Sequence, residues 1–126
     1  MRHRRHYTLE EATATLEWAA DVLARMRSAR DQLLDSEARE ALSDASAGNG
    51  GGDPGRQVSE AFLELREGAA ALRERDILLR DLDRGLIDFP SLRDGREVYL
   101  CWVEAEEDAI GFWHDLDAGY AGREPL

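Results

Sequence analysis

Residues 81–102, DLDRGLIDFPSLRDGREVYLCW, and residues 110–123, IGFWHDLDAGYAGR, decide the fold of this chain. These two segments hold two of the three Trp, two of the three Tyr, two of the three Phe and the single Cys. Their apolar residues alternate with polar ones or form short runs that end at Gly or Pro. This pattern predicts a small antiparallel sheet in the C-terminal part of the chain.

The turn residues divide this part of the chain into about four strands. Asp83–Gly85 is predicted as a turn in which Gly85 takes a left-handed conformation, and Arg93–Arg96 is predicted as a second turn. The predicted strands are Ile77–Leu82, Leu86–Phe89 ending at Pro90, Glu97–Val103 and, after an acidic turn at Glu104–Asp108, Ala109–Leu116.

Two helices are predicted before this sheet. Thr8 and Glu11 have the spacing of a capping box, which predicts a helix start near Leu9. Apolar residues then recur at helical spacing from about Leu9 to about Ala41, and again from about Arg56 to Arg75. The two stripes match, so they predict a long antiparallel helical hairpin over residues 8–75 with a flexible Gly-rich loop over residues 43–55. The sheet and tail follow over residues 76–126, and the whole chain, residues 1–126, is predicted to be one α+β domain.

The first helix carries more apolar surface than one face can bury. Ala14, Trp18 and Val22 form a second patch about 130° around the helix from the main stripe. Either the sheet covers one patch and the second helix covers the other, or a second copy of the chain covers one of them. The latter alternative predicts a homodimer that forms through the helices.

The chain is strongly acidic, with a formal net charge of -11 at pH 7. From Asp76 onward, thirteen Asp and Glu stand against five Arg, a net charge of -8. Affinity for nucleic acid rests largely on cationic side chains that neutralise phosphates. The charge therefore disfavours nucleic acid and anionic membranes as partners, and it makes a cation a more natural ligand than an anion.

The cellular setting follows from the cysteine count and from the N-terminal segment. A single cysteine, Cys101, excludes an intramolecular disulfide and a site made of several cysteines in one chain. The opening MRHRRHY leads into an amphipathic helix without the apolar core of a signal peptide, and no run is long enough to span a membrane. We therefore expect a cytoplasmic protein, with His3 and His6 solvated in the basic leader.

Three segments and the helix start resemble a known family. The segments are residues 82–92, LDRGLIDFPSL, residues 97–102, EVYLCW, and residues 111–123, GFWHDLDAGYAGR, and the helix start is YTLEEA at residues 7–12. Together they resemble the prokaryotic family catalogued as domain of unknown function 2203, over nearly the whole chain. The resemblance implies a soluble, stand-alone domain and supplies no catalytic assignment.

The sharpest chemical feature is His114 followed by Asp115 and Asp117. An imidazole and carboxylates can bind a divalent metal, and a carboxylate can orient a histidine for acid or base catalysis. On a regular strand, however, His114 points away from both aspartates. If the strand ends near His114, the aspartates enter the tail and can join Asp88 or Glu97 around a cation. If the strand continues, His114 belongs to the apolar row of the sheet.

These alternatives define the candidate residues. The catalytic candidates are His114 and Asp115, and the candidate ligands of a divalent metal are His114, Asp117, Asp88 and Glu97. Turn arginines and neighbouring aromatic residues can also bind a small anionic or apolar ligand, and the candidates are Arg93, Arg96, Arg123, Trp113 and Tyr120. Ion pairs that hold the loops are the alternative role for the arginines. Cys101 is expected to be buried and inert, with a Cys101–His114 pair as the alternative.

Two functions remain open from the sequence. The first is a homo-oligomeric module that binds a small ligand or a protein partner. The second is a small metal-binding protein, or a metal-dependent enzyme, with a His and Asp site at the end of the C-terminal sheet.

Overall fold

The computed structural model describes residues 1–45 and 54–126. Two helices come first, α1 (Leu9–Ala45) and α2 (Pro54–Glu74). The strands β1 (Leu78–Asp81), β2 (Leu86–Arg93), β3 (Arg96–Val103), β4 (Phe112–Asp115) and β5 (Glu124–Pro125) follow, with a short 3-10 helix at Tyr120–Gly122. The strands form one sheet in the order β1-β2-β3-β4-β5, and each neighbouring pair is antiparallel. The predicted α+β fold is confirmed.

The strand count differs by one from the prediction. β5 has two residues and pairs with Phe112 and Trp113 of β4. So short a strand has no period that a sequence pattern can reveal. The prediction of about four strands was therefore one short.

The helical hairpin begins at the predicted capping box. The Thr8 N–H donates to Glu11 Oε1 at 3.1 Å, and the Glu11 N–H donates to Thr8 Oγ1 at 3.0 Å. The two helices run antiparallel, since Trp18 of α1 lies against Arg75, just after α2, while Met26 further along α1 lies against Gly68. Of the predicted loop at residues 43–55, residues 43–45 and 54–55 are helical and residues 46–53 lie outside the described residues. Within residues 1–45 and 54–126, no helix is long and apolar enough to cross a membrane.

Helix α2 covers much of the second apolar patch of α1. Val22 is buried, and Trp18 packs partly buried against the core. The Arg75 guanidinium lies 3.7 Å from the centre of the Trp18 ring. Part of the surplus patch is therefore covered within one chain, whereas Ala14 remains exposed.

The sheet has one face on the helices and one face away from them. Alternate residues of the central strands share the main core with α1, and they are Ile87, Phe89, Val98, Leu100, Trp102 and Trp113. The intervening residues point the other way, as the period of a strand requires. We call this second surface the helix-free face, and its residues are Leu86, Asp88, Pro90, Tyr99, Cys101, Val103, Phe112 and His114.

Strand β2 continues through Pro90, where the sequence pattern predicted its end. Proline interrupts a strand when its missing N–H is needed by a neighbouring strand. Here the Pro90 carbonyl accepts from the Tyr7 N–H at 2.7 Å. The nitrogen of a strand residue points to the same edge as its carbonyl, so the missing N–H of Pro90 also faces the N-terminal segment and not β3. The β2 and β3 ladder loses no hydrogen bond, and β2 extends to Arg93.

Strand β4 is shorter than the predicted strand Ala109–Leu116. It begins at Phe112 and ends at Asp115. A turn follows at once, in which the Ala118 N–H donates to the Asp115 carbonyl at 3.1 Å. The strand therefore ends next to His114. An end at this point is what Asp117 needs in order to approach His114.

Two turn glycines have left-handed backbones, Gly85 with φ of 64° and Gly95 with φ of 77°. A Cβ on Gly85 would lie 2.6 Å from Glu104 Cβ, whereas a Cβ on Gly95 would meet nothing within 4 Å. Any other residue would therefore be strained by the backbone at both positions. Only at Gly85 would its Cβ also collide with a neighbouring side chain.

We predict that Gly95→Ala lowers the free energy of unfolding by about 1–2 kcal/mol, the cost of a left-handed backbone. Gly85→Ala should lower it by at least about 1 kcal/mol more, because the new Cβ must displace Glu104. Urea unfolding of both variants measures the difference. Equal losses would show that the contact with Glu104 is not tight.

Candidate ligand-binding site on the helix-free face

Asp88 and His114 form a buried pair that bridges β2 and β4 across β3. Asp88 is opposite Cys101 in the β2 and β3 register, and Tyr99 is opposite His114 in the β3 and β4 register. The two side chains meet diagonally above β3, with His114 Nε2 at 3.1 Å from Asp88 Oδ1. Their side chains are 1% and 3% exposed, respectively, so the pair is withdrawn from water.

The partners of His114 determine where its protons lie. Nδ1 is 2.7 Å from the Asp115 carbonyl, which only accepts hydrogen bonds, so Nδ1 carries a proton. In neutral imidazole, Nε2 then has a lone pair, and that lone pair would face a carboxylate oxygen. The contact with Asp88 is favourable only when a proton lies between the two atoms.

Arg80 provides the second hydrogen bond to Asp88. Its Nε donates to Asp88 Oδ2 at 3.0 Å. The register of β1 and β2 shifts between Leu79 and Asp81, so Arg80 is the extra residue of a bulge. Bulges often redirect a side chain toward a site. Both oxygens of Asp88 thus have a side-chain partner, Arg80 on one and His114 on the other.

Cys101 lies beside this pair. The ligand atoms of Asp88, Cys101 and His114 all lie within 4.8 Å of one another, and all three residues are buried. Burial raises the pKa of the Cys101 thiol to about 12, and the negative charge of Asp88 adds to the increase. The Arg123 guanidinium opposes the increase. Without a ligand, Cys101 is therefore a neutral thiol, as predicted.

A pocket of about 280 Å³ opens beside these residues. Asp88, Cys101 and His114 contribute to its lining, together with Arg80, Leu86, Leu116, Asp117, Gly119 and Tyr120. The turn after β4 supplies one wall, so the early end of that strand creates the pocket.

The N-terminal segment, residues 1–7, lies along the adjoining part of the helix-free face. Glu97 accepts from the Arg2 and His3 backbone N–H groups at 2.8 Å and 3.0 Å, and it contacts His6 Nε2 at 2.7 Å. The hydrogen bond from His6, with those from the two backbone N–H groups, lowers the pKa of Glu97 to about 2. His3 Nε2 lies 2.6 Å from the Tyr99 hydroxyl.

The expectation that His3 and His6 are solvated was therefore wrong. Their partners, Tyr99 and Glu97, are more than 90 residues away in sequence, and no local pattern announces them. Glu97, predicted as a metal ligand, is instead bound by the N-terminal segment.

The other predicted metal and catalytic carboxylates lie at the rim or outside the site. Asp117 lines the pocket, but its side chain is 88% exposed and pairs with Arg2 at 3.3 Å. Asp115 points out and pairs with Arg96 at 3.2 Å. Of the predicted metal set, the structure brings together only Asp88 and His114.

The five predicted ligand-binding residues divide into two groups. The Arg93 and Arg96 guanidiniums lie 4.7 Å and 6.0 Å from the centre of the Trp113 ring, which is part of the main core. Arg123 lies over the Tyr120 ring at 4.2 Å and donates to Glu107 at 2.7 Å. Only Tyr120 of the five lines the pocket. Arg96 and Arg123 thus make the ion pairs that the sequence analysis gave as their alternative role.

Arg80 was missed as a functional candidate, and Cys101 was considered only in a pair with His114. The turn at Asp94 and Gly95 sets the register of the hairpin. Residues at equal distances from this turn lie opposite each other, so the turn alone places Asp88 and Cys101 side by side on one face. The role of Arg80 depends on a bulge, for which the sequence gives no comparable signal.

Comparison with known proteins agrees with the resemblance seen in the sequence. A search of curated proteins and a search of solved structures gave no match. A family model described as "Uncharacterized conserved protein (DUF2203)" matches residues 5–126. Because the match covers nearly the whole chain, this protein belongs to the DUF2203 family.

Proposed function

We propose that this protein is a small-ligand-binding module whose ligand occupies the pocket beside Asp88 and His114. The observation that carries the proposal is the buried pair at an open pocket. Burying two charged groups costs desolvation free energy that an apolar contact would avoid. Ionisable residues held in a cleft in this way are typical of functional sites.

The pocket lining indicates the class of ligand. Arg80 offers hydrogen-bond donors, Asp117 offers an acceptor, and Leu86 and Leu116 supply apolar surface. A volume of about 280 Å³ is at the small end of ligand pockets, which run from about 300 to 1,000 Å³. These properties suit a small polar molecule or an ion.

The hydrogen bonds of His114 favour binding over acid or base catalysis. One ring nitrogen is engaged by the Asp115 carbonyl and the other by Asp88. A general base needs a free nitrogen within reach of the substrate proton. In this arrangement His114 offers none, so the proposal contains no catalytic step.

A two-dimensional amide NMR titration tests the proposal with a panel of sodium acetate, sodium phosphate, methylammonium chloride and zinc chloride. At least one compound should shift amide signals of residues 114–120 and leave those of α2 unchanged. Leu116→Trp, which fills the pocket, should weaken that binding by at least about tenfold, a change of about 1.4 kcal/mol. Leu92→Trp, the same change at an exposed site outside the pocket, should leave it unaltered.

Two results would contradict the proposal. One is that no member of the panel shifts the pocket signals. The other is that the shifts persist at the same concentrations in Leu116→Trp, because the ligand would then lie elsewhere.

A second candidate function is a homo-oligomeric or protein-interaction module, favoured by exposed apolar side chains on the hairpin. Leu34, Phe62 and Leu63 are each more than half exposed. Exposed apolar residues that adjoin one another mark contact surfaces. The candidate rests on these residues rather than on Trp18, which is partly buried against the core.

If the hairpin forms a dimer, light scattering should give twice the mass of the chain at high protein concentration. Leu63→Ser should shift the dimer toward monomer, because it removes apolar area from the contact. Leu92→Ser, the same change on the sheet, should not. A wild-type protein that stays monomeric over the full concentration range would remove this candidate.

A further inference from the structure

We propose that Asp88, Cys101 and His114 together form a binding site for a divalent transition-metal ion of the zinc class. The inference rests on the proposed function, because it names the ligand of the same pocket. Its basis is the arrangement of three donor atoms, the groups that hold them, and the charge of the site.

The orientation of His114 is the one that metal-binding histidines adopt. Such a histidine almost always donates its second ring N–H to a carbonyl or carboxylate, which turns the lone pair of the other nitrogen toward the metal. His114 Nδ1 meets the Asp115 carbonyl, so the lone pair of Nε2 points toward Asp88 and Cys101. In the metal-free protein a proton occupies that position.

The other two donor atoms are also held by neighbouring groups. Arg80 binds the Asp88 oxygen that does not face His114. Cys101 is held in the central strand β3, directly opposite Asp88. A site whose ligands are fixed by their own neighbours needs little rearrangement to bind an ion.

The distances are close to those of a four-coordinate ion. Bonds of about 2.0–2.3 Å in a tetrahedral arrangement separate donor atoms by about 3.3–3.8 Å. Here His114 Nε2 and Asp88 Oδ1 are 3.1 Å apart, and all three atoms lie within 4.8 Å of one another. Shifts of about 1 Å or less complete the arrangement. The fourth position then faces the pocket, where water or a small molecule can bind.

The charge of the site matches a divalent ion. Without metal, Asp88 and His114 share one proton and Cys101 keeps its thiol proton, so the three donors add to zero beside the positive charge of Arg80. On binding, the ion replaces these two protons, so two protons leave and the net charge of the site does not change. Nitrogen, oxygen and thiolate donors together suit zinc or cobalt rather than magnesium or calcium, which bind oxygen ligands.

Cobalt titration of protein produced without a histidine tag and stripped with a chelator tests the site. Cobalt should bind with one equivalent per chain, give the charge-transfer absorption of a cobalt–thiolate bond, and be displaced by zinc. Two protons per ion should be released into a weakly buffered solution. Binding should strengthen as pH rises, because both displaced protons come off more readily.

Cys101→Ser keeps the Asp88–His114 pair intact and should abolish the charge-transfer absorption and weaken binding roughly 100-fold or more. His114→Gln should weaken it similarly. His6→Gln, which alters a partly buried histidine outside the site, should leave binding unchanged. Thermal unfolding of each variant checks that it folds.

The proposal is overturned if the wild-type protein shows no thiolate absorption with cobalt, or if Cys101→Ser retains it. When cobalt fails but acetate, phosphate or methylammonium still binds in the pocket, the ligand-binding function stands and only the metal is excluded. A failure of both overturns both.

Discussion

The hydrogen bond between Asp88 and His114 is the interaction on which the rest of the helix-free face depends. It joins β2 to β4 across the central strand, with Cys101 and Tyr99 lying between the two partners in the sheet. Removing one partner of such a buried pair leaves an uncompensated charge and typically costs about 3–5 kcal/mol. The pair therefore constrains the sheet to a single register at this point. It also sets the floor of the pocket, because both side chains belong to its lining.

Groups on either side of the pair extend this constraint. The bulge in β1 turns Arg80 onto Asp88, and the turn after Asp115 supplies the carbonyl that fixes His114. The N-terminal segment contacts Tyr99 and donates hydrogen bonds to Glu97 on the same face. The helices bury the opposite face of the sheet, and among the residues that the structure describes none from a helix lines the pocket. The architecture thus separates the core that stabilises the fold from the face that carries the candidate site.

Local patterns predicted the parts of this structure that local forces decide. The capping box at Thr8 and the left-handed turn at Gly85 follow from a few neighbouring residues, and both are present. The path of β2 through Pro90 could not be predicted, because it depends on Tyr7, which approaches from the start of the chain. Asp88 and His114 were both named from the sequence, since their residue types suit a site. Their contact, and the place of Cys101 beside it, required the register of three strands.

The proton of the pair also connects the fold to the proposed ligand. A metal ion and a proton compete for the same lone pair of His114, so the protonation of this ring reports directly on the state of the site. The most direct measurement is nitrogen-15 NMR of the His114 imidazole at neutral pH, in metal-free protein and after addition of one equivalent of zinc. The account predicts that Nδ1 carries a proton with and without zinc and that zinc changes the signal of Nε2 by binding there. Loss of the Nδ1 proton on addition of zinc, or an Nε2 signal that zinc leaves unchanged, would contradict it.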